Sequence, residues 1–219
     1  MERGAFDQMT LRSASDIRLS GAAVLYQPGN LTLAASQIYP AIHDSGKVVA
    51  GLRNIIDQWG NPARGFDPAR SLTIERVGEA LPAMPYSVFG SLILAGPTVN
   101  QGGVLRAPLG TVSVGSKLHG EETGQVNLLP GSVTSVSANG LVMPYGGSLD
   151  GLSYMHNGTD AVFDRMGAGP AIVLSGHAID VQKDALLDLR GGGELKGAPS
   201  WRAGGAPPTR ACIRWRRCR

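Results

Sequence analysis

Short segments with apolar residues two apart recur along most of this chain, and that period narrows the fold more than any other feature. Met9-Thr10-Leu11, Ile17-Arg18-Leu19, Leu31-Thr32-Leu33, Leu72-Thr73-Ile74, Leu92-Ile93-Leu94 and Val112-Ser113-Val114 show it. So do Ile172-Val173-Leu174, Ile179-Asp180-Val181 and Leu187-Asp188-Leu189. Alternation of this kind puts the apolar side chains on one face of a strand. Glycine stands just before several of them, at Gly90, Gly110 and Gly131, where a corner calls for backbone angles that a Cβ resists. Composition agrees. The chain has only twelve Phe, Trp and Tyr residues beside 31 Gly and 14 Pro. Val, Leu and Ile must therefore form the core, in short strands joined by tight turns. The fold class is all-β.

Spacing suggests how the strands are arranged. Leu72 to Leu92 is 20 residues, Leu92 to Val112 is 20 and Val112 to Val133 is 21. A repeat near twenty residues predicts one turn of a right-handed parallel β-helix, a solenoid in which each turn stacks on the one below. The alternative is an antiparallel sandwich. It is disfavoured because Asn-Gly hairpin signals occur only at Asn139-Gly140 and Asn157-Gly158. Two irregular excursions are expected, over about 43–70 and 143–169. In the first, Leu52, Ile55, Ile56 and Trp59 fall at the spacing of a short amphipathic helix, and Gly60-Asn61-Pro62 would end it. Loops of this kind usually carry a repeat protein's specificity.

Charge and cysteine divide the chain in two. Residues 195–219 hold seven Lys and Arg and no acid, so a net charge of +3 leaves residues 1–194 at −4. A mildly acidic body gives no reason to expect nucleic acid or an anionic membrane as partner. Both cysteines, Cys212 and Cys218, lie in the tail. No apolar run is long enough to cross a bilayer as a helix. The opening residues lack the apolar stretch of a secretory signal, which reads as an interior piece of a longer reading frame.

Several segments resemble large filamentous haemagglutinin-like proteins. They are Asp16-Ile17-Arg18-Leu19-Ser20-Gly21, Gln27-Pro28-Gly29-Asn30-Leu31-Thr32-Leu33, Gln37-Ile38-Tyr39-Pro40, Met84 through Leu92 and Gly103 through Gly110. The most specific are Gly131 through Val142, with Pro144-Tyr145-Gly146-Gly147, and Leu187 through Gly193. The resemblance covers about residues 5–197 and matches an uncharacterised domain found far along such chains. It implies two-partner secretion, in which an outer-membrane β-barrel passes the unfolded chain outward to coil into a fibre. It also implies an adhesin that touches a host or neighbouring cell surface through a receptor the sequence does not name. The family's own secretion domain is absent here.

Residues 1–197 are therefore expected to be the β-helical segment and 198–219 a basic, disordered tail. A frameshift in a GC-rich gene would account for the tail, because one permitted out-of-frame translation from Ala198 onward continues the Gly-rich style. The alternatives are a native basic tail for nucleic acid or an acidic surface, and an end without a role.

Chemistry is sparse. His43, His119, His156 and His177 are far apart, and none stands at metal-ligand spacing. No nucleophile elbow occurs. Gly167-Ala168-Gly169 lacks the third glycine of a dinucleotide site. Pectin-degrading enzymes share the β-helix and use clustered carboxylates. Here Glu121-Glu122, Asp150, Asp160, Asp164, Asp180, Asp184 and Asp188 are the candidates, and a solvated outer face is the preferred reading of them. Asn30-Leu31-Thr32 and Asn157-Gly158-Thr159 match glycosylation acceptors by pattern only. The expectation is a non-enzymatic segment with no catalytic, metal or cofactor residues. The rivals are a polysaccharide-active enzyme and a truncated gene product. Without caps, the purified chain is expected to aggregate.

Overall fold

A computed structural model of the chain describes residues 6–56, 59–118, 120–148, 153–156, 160–164, 169–196 and 212–213. Every helix or strand among them is a strand. The first circuit is β1 (Gln8–Arg12), β2 (Ile17–Leu19) and β3 (Ala23–Gln27), and the second is β4 (Asn30–Ala35), β5 (Ile38–Pro40) and β6 (Ser45–Ala50). A hairpin follows, β7 (Leu52–Ile56) with β8 (Pro62–Phe66), and then β9 (Ser71–Arg76) and β10 (Ser91–Ala95). The next circuit is β11 (Thr98–Gly102), β12 (Val104–Arg106) and β13 (Thr111–Gly115), and it ends in the small hairpin β14 (Lys117–Leu118) and β15 (Glu121–Glu122). Then come β16 (Gln125–Leu128) and β17 (Val133–Ser135), followed by β18 (Val142–Ser148), β19 (Ser153–His156) and β20 (Asp160–Asp164). The last strands are β21 (Ala171–Ser175), β22 (Ala178–Val181), β23 (Leu186–Asp188), β24 (Glu194–Lys196) and β25 (Cys212–Ile213).

Sixteen of these strands form three sheets that the chain visits in rotation, and a fourth sheet runs β20-β19-β18-β24-β25. The first runs β1-β4-β9-β11-β16-β22, the second β2-β5-β12-β17-β23 and the third β3-β6-β10-β13-β21. Every pairing inside these three is parallel. A parallel partner cannot follow through a tight turn, and here the path between partners passes through the other two sheets. Antiparallel pairing is found in the hairpins β7–β8 and β14–β15, in β18–β19–β20 and between β24 and β25. The antiparallel sandwich is thereby overturned.

One core serves all three sheets. In the first sheet Met9, Leu31, Leu72, Val99, Val126 and Ile179 stand in register. In the third, Leu25, Val48, Leu94, Val114 and Leu174 do the same. Leu31, Leu72, Leu92, Leu94, Leu105, Val112 and Val126 belong to a single buried cluster. Burying each such side chain contributes on the order of 1.5–3 kcal/mol. The ladder beside the first one, Leu11, Leu33, Ile74, Gln101, Leu128 and Val181, is interrupted by a polar residue. Gln101 is fully buried there. Its Nε2 donates to the Gly103 and Val133 carbonyls, and its Oε1 accepts from the Gly103 N–H.

The two-residue alternation marked strands, but the twenty-residue spacing did not mark stacked partners throughout. Leu92 does stack on Val112. Leu72, however, stacks on Val99, 27 residues on, and on Leu31, 41 residues back. Val133 belongs to the second sheet, where it pairs with Val104. The apparent twenty-residue repeat linked strands of three different sheets, because circuits of unequal length happened to place similar triplets at similar intervals.

The amphipathic helix over Leu52–Trp59 is also corrected. Leu52 to Ile56 pair antiparallel with Phe66 to Pro62. Only Leu52 enters a core, with Val49 and Ala95, while Ile56 and Trp59 are exposed. Two consecutive β-branched residues favour a strand, and so short a helix without a buried face would not hold. The excursion is narrower than 43–70, since Ser45–Ala50 is a full member of the third sheet.

The glycines divide by role. Gly131 has φ 72° and supplies the corner conformation expected of it. Gly90 instead packs so closely that a Cβ would lie 2.6 Å from Pro40 Cγ. Bulky residues occupy the left-handed corner before the third sheet, with φ of 60° at His43, 64° at Phe89 and 55° at Leu109. Stacking of the His43 and Phe89 rings, 5.3 Å between centroids, helps to hold them there.

The tail prediction for 198–219 lies outside the described residues, apart from Cys212 and Ile213, which pair with Lys196 and Leu195.

Candidate functional site

Among the described residues the circuit from β9 to β10 has no second-sheet strand, and a concavity lies beside it. After β9 the Val77 N–H still bonds to the Ala35 carbonyl at 2.9 Å, and then Gly78, at φ 87°, turns the chain outward. Pro82 and Pro85 cannot donate to a ladder, so residues 77–90 cross outside the second sheet. β12 therefore pairs directly with β5, through Leu105 and Ile38. The segment is fastened as it returns. Ser87 Oγ donates to the Pro40 carbonyl, the His43 N–H to Val88 O at 3.2 Å, and the Phe89 N–H to Pro108 O at 2.9 Å.

Between this segment and the outer face of β2 and β5 lies a cleft of about 600 Å³. Asp16, Arg18, Gln37, Tyr39 and Asp44 line it on the sheet side, and Pro82, Met84, Pro85 and Tyr86 line it on the other. Gln37 is buried and ties the two walls together. Its Nε2 donates to Asp16 Oδ2 at 3.0 Å and to the Ala83 carbonyl at 3.1 Å. Its Oε1 accepts from Arg106 Nη1 at 3.1 Å, which also donates to the Pro82 carbonyl at 3.0 Å.

Arg106 is only 7% exposed, and its Nε has no hydrogen-bond partner among the described residues. Burial pulls its pKa down, and the charges of Asp16 and Asp188 oppose that pull. Tyr39 is pushed above the usual phenol range. Burial is the main cause, followed by the negative charge of Asp16 and a hydrogen bond to it, with Arg18 acting the other way. Burial also raises Tyr86. Asp44 is fixed by the Gly21 N–H, which donates to Oδ2 at 2.8 Å. The cleft thus combines oriented carboxylates, a guanidinium and two phenol rings with an apolar wall.

The carboxylates singled out from the sequence are placed differently. Asp180 is exposed and accepts from Gln182 Nε2 at 2.9 Å. Asp184 is exposed, at a corner with φ 64°. Asp188 contradicts the solvated-face reading. It is 8% exposed, accepts from Arg190 Nε at 2.8 Å and from Nη2 at 3.1 Å, and lies 3.4 Å from Ser135 Oγ. The Arg190 hydrogen bond leads in holding its carboxyl below the usual range, and burial opposes it. Asp150 and the side chains of Asp160 and Asp164 lie outside what is described. His43 stacks on Phe89 and the His177 N–H bonds to the Thr123 carbonyl, so the two serve different corners. Asn30 spends its Oδ1 on the Ser71 N–H at 2.9 Å. Among the described residues no group of three or more His, Cys, Asp and Glu could hold a metal.

Sequence reading missed residues 77–90 as an excursion, and with them the cleft. The available signal was Gly78, Pro82 and Pro85 within one stretch lacking alternation.

Comparison of the chain with family models, curated proteins and solved structures finds no match.

Proposed function

We propose that this chain is a non-catalytic segment of a large secreted or surface-displayed adhesin, similar to filamentous haemagglutinins, and that its three sheets are the faces of a right-handed parallel β-helix. The observation that carries the reading is the rotation of strands through three parallel sheets around one aliphatic core. Such a stack buries its ladders only between neighbouring turns, so it suits a long shaft. Excursions from the stack, 77–90 above all, would supply the surfaces that touch a host or neighbouring cell. An outer-membrane β-barrel would export the full-length chain, and nucleic acid is not a partner. The polysaccharide-enzyme alternative is weakened at Asp188. A carboxylate locked to Arg190 has no proton to give near neutral pH.

The test is imaging and adherence of the longer secreted product with and without residues 6–196. Six stacked strands spaced about 4.8 Å apart predict a fibre shorter by about 29 Å, with weaker attachment. An unchanged fibre length, or full attachment without the segment, would reject the proposal.

A further inference from the structure

We infer that the cleft beneath residues 77–90 is a binding site for a neutral glycan, formed by Asp16, Arg18, Tyr39, Asp44 and Tyr86. The inference rests on the attachment reading for its biological use, but on the cleft's own geometry for its chemistry. A volume of about 600 Å³ falls within the roughly 300–1,000 Å³ of small-molecule sites. A pyranose presents hydroxyls that both donate and accept, and one face made of C–H groups. It therefore needs mixed polar partners beside an aromatic or apolar wall. The cleft supplies both.

Asp16 receives hydrogen bonds from Gln37 and Tyr39, and Asp44 from the Gly21 N–H. A carboxylate offers about four acceptor sites, so each keeps capacity for a hydroxyl while already oriented. Arg18 adds donors. Tyr86, 43% exposed, with Pro82, Met84 and Pro85, forms the flatter apolar wall.

Charge balance suits a ligand without net charge. The carboxylates of Asp16 and Asp44 are offset by Arg18 on the wall and by Arg106, bonded to Gln37 and Pro82, so the lining favours neither sign strongly. Arg106 also keeps the site open, because its guanidinium and Gln37 bridge from the second sheet to the carbonyls of Pro82 and Ala83. A ligand-independent bridge of this kind means that the walls are preorganised.

The experiment immobilises the full chain, which keeps copies from stacking on each other. It then measures retention of neutral trisaccharides of glucose, galactose and mannose. Saturable retention of at least one is expected. It should fall roughly two- to tenfold in Tyr86→Ala, the range for one aromatic face, and fall also in Asp16→Asn. Tyr26→Ala, an exposed ring on the third sheet, should leave it unchanged, and Tyr86→Phe should keep most of it.

No saturable retention would overturn the assignment, as would retention indifferent to Tyr86→Ala and Asp16→Asn. Retention of only sulphated oligosaccharides or only Lys-rich peptides would overturn it too. If retention fails while removal of 6–196 still shortens the fibre and weakens attachment, the glycan site falls and the attachment reading stands.

Discussion

Arg106 shows how one side chain can decide whether an excursion is ordered. It is buried without an ion pair among the described residues, and two of its bonds hold the outer segment to the sheet. Arg106→Ala would leave Gln37 Oε1 and the Pro82 carbonyl short of a donor in a buried setting. Each loss of this kind costs about 1–3 kcal/mol. The expected result is a denaturant midpoint lowered by a few kcal/mol in stability, with residues 77–90 becoming the first site of limited proteolysis. Arg106→Lys should recover part of it, because both bonds leave one nitrogen, Nη1, which an ammonium on a more flexible stem replaces only in part. Asp188 gives a second test. Its folded pKa is depressed from the ordinary 3.8 by Arg190, so its contribution is fully present above that value. It is lost as pH falls through the depressed folded pKa. Because Arg190 is largely exposed, solvent screening keeps the effect small. Acid titration of stability should be measurably flatter in Asp188→Asn.

At the scale of elements, the sequence told strand from helix wherever an apolar face was buried, and misled where none was. Leu31-Thr32-Leu33 and Leu92-Ile93-Leu94 are strands because neighbours on both sides cover their apolar residues, and alternation reports that cover directly. Leu52 through Trp59 carries a helical pattern, but Ile56 and Trp59 face solvent, so the pattern recorded no packing. Pairing order was illegible for a related reason. The path from Leu31 to Leu72 includes a hairpin and the path from Leu92 to Val112 does not, and loop length adds only a slowly growing entropy. Equal spacing therefore has little selective force. The cleft was hidden because its members come from three segments far apart in sequence, joined by Gln37 and Arg106, whose family-like segments gave neither residue a partner. The β7–β8 hairpin should be dispensable on the same grounds. None of its residues belongs to the main core, and it leans on the other hairpin through the Phe66 N–H bond to Gly120 O at 3.2 Å. Replacing 54–64 with Gly-Asn-Gly should move the thermal midpoint by only a few degrees. A collapse of cooperative unfolding would show that the hairpin supports the stack.

For the whole molecule, the question is what happens where stacking stops. Val126 and Leu128 are sealed, yet Ile179 and Val181, their partners on the next strand, are 45% and 51% exposed. At the other end Met9, Leu11, Ile17 and Leu19 are only partly covered. Among the described residues β1 and β22 end the first sheet with no further strand beside them, and an open edge next to apolar side chains is the combination that templates association. Residues 1–194 carry −4, too little charge spread over too many strands to keep two apolar ends apart by repulsion alone. The isolated chain should therefore associate with rising concentration. Sedimentation velocity would record this as a weight-average mass climbing above the 22.8 kDa of one chain. Ile179→Lys with Val181→Glu adds no net charge and places two ions on the exposed rung, where water can still solvate them. That double variant should stay monomeric at concentrations where the parent associates, with far-ultraviolet dichroism unchanged, because the buried rungs below are untouched. If instead the parent is a stable monomer with one sharp, reversible thermal transition, the ends are already protected, and the picture of a stack open at both terminal rungs is wrong.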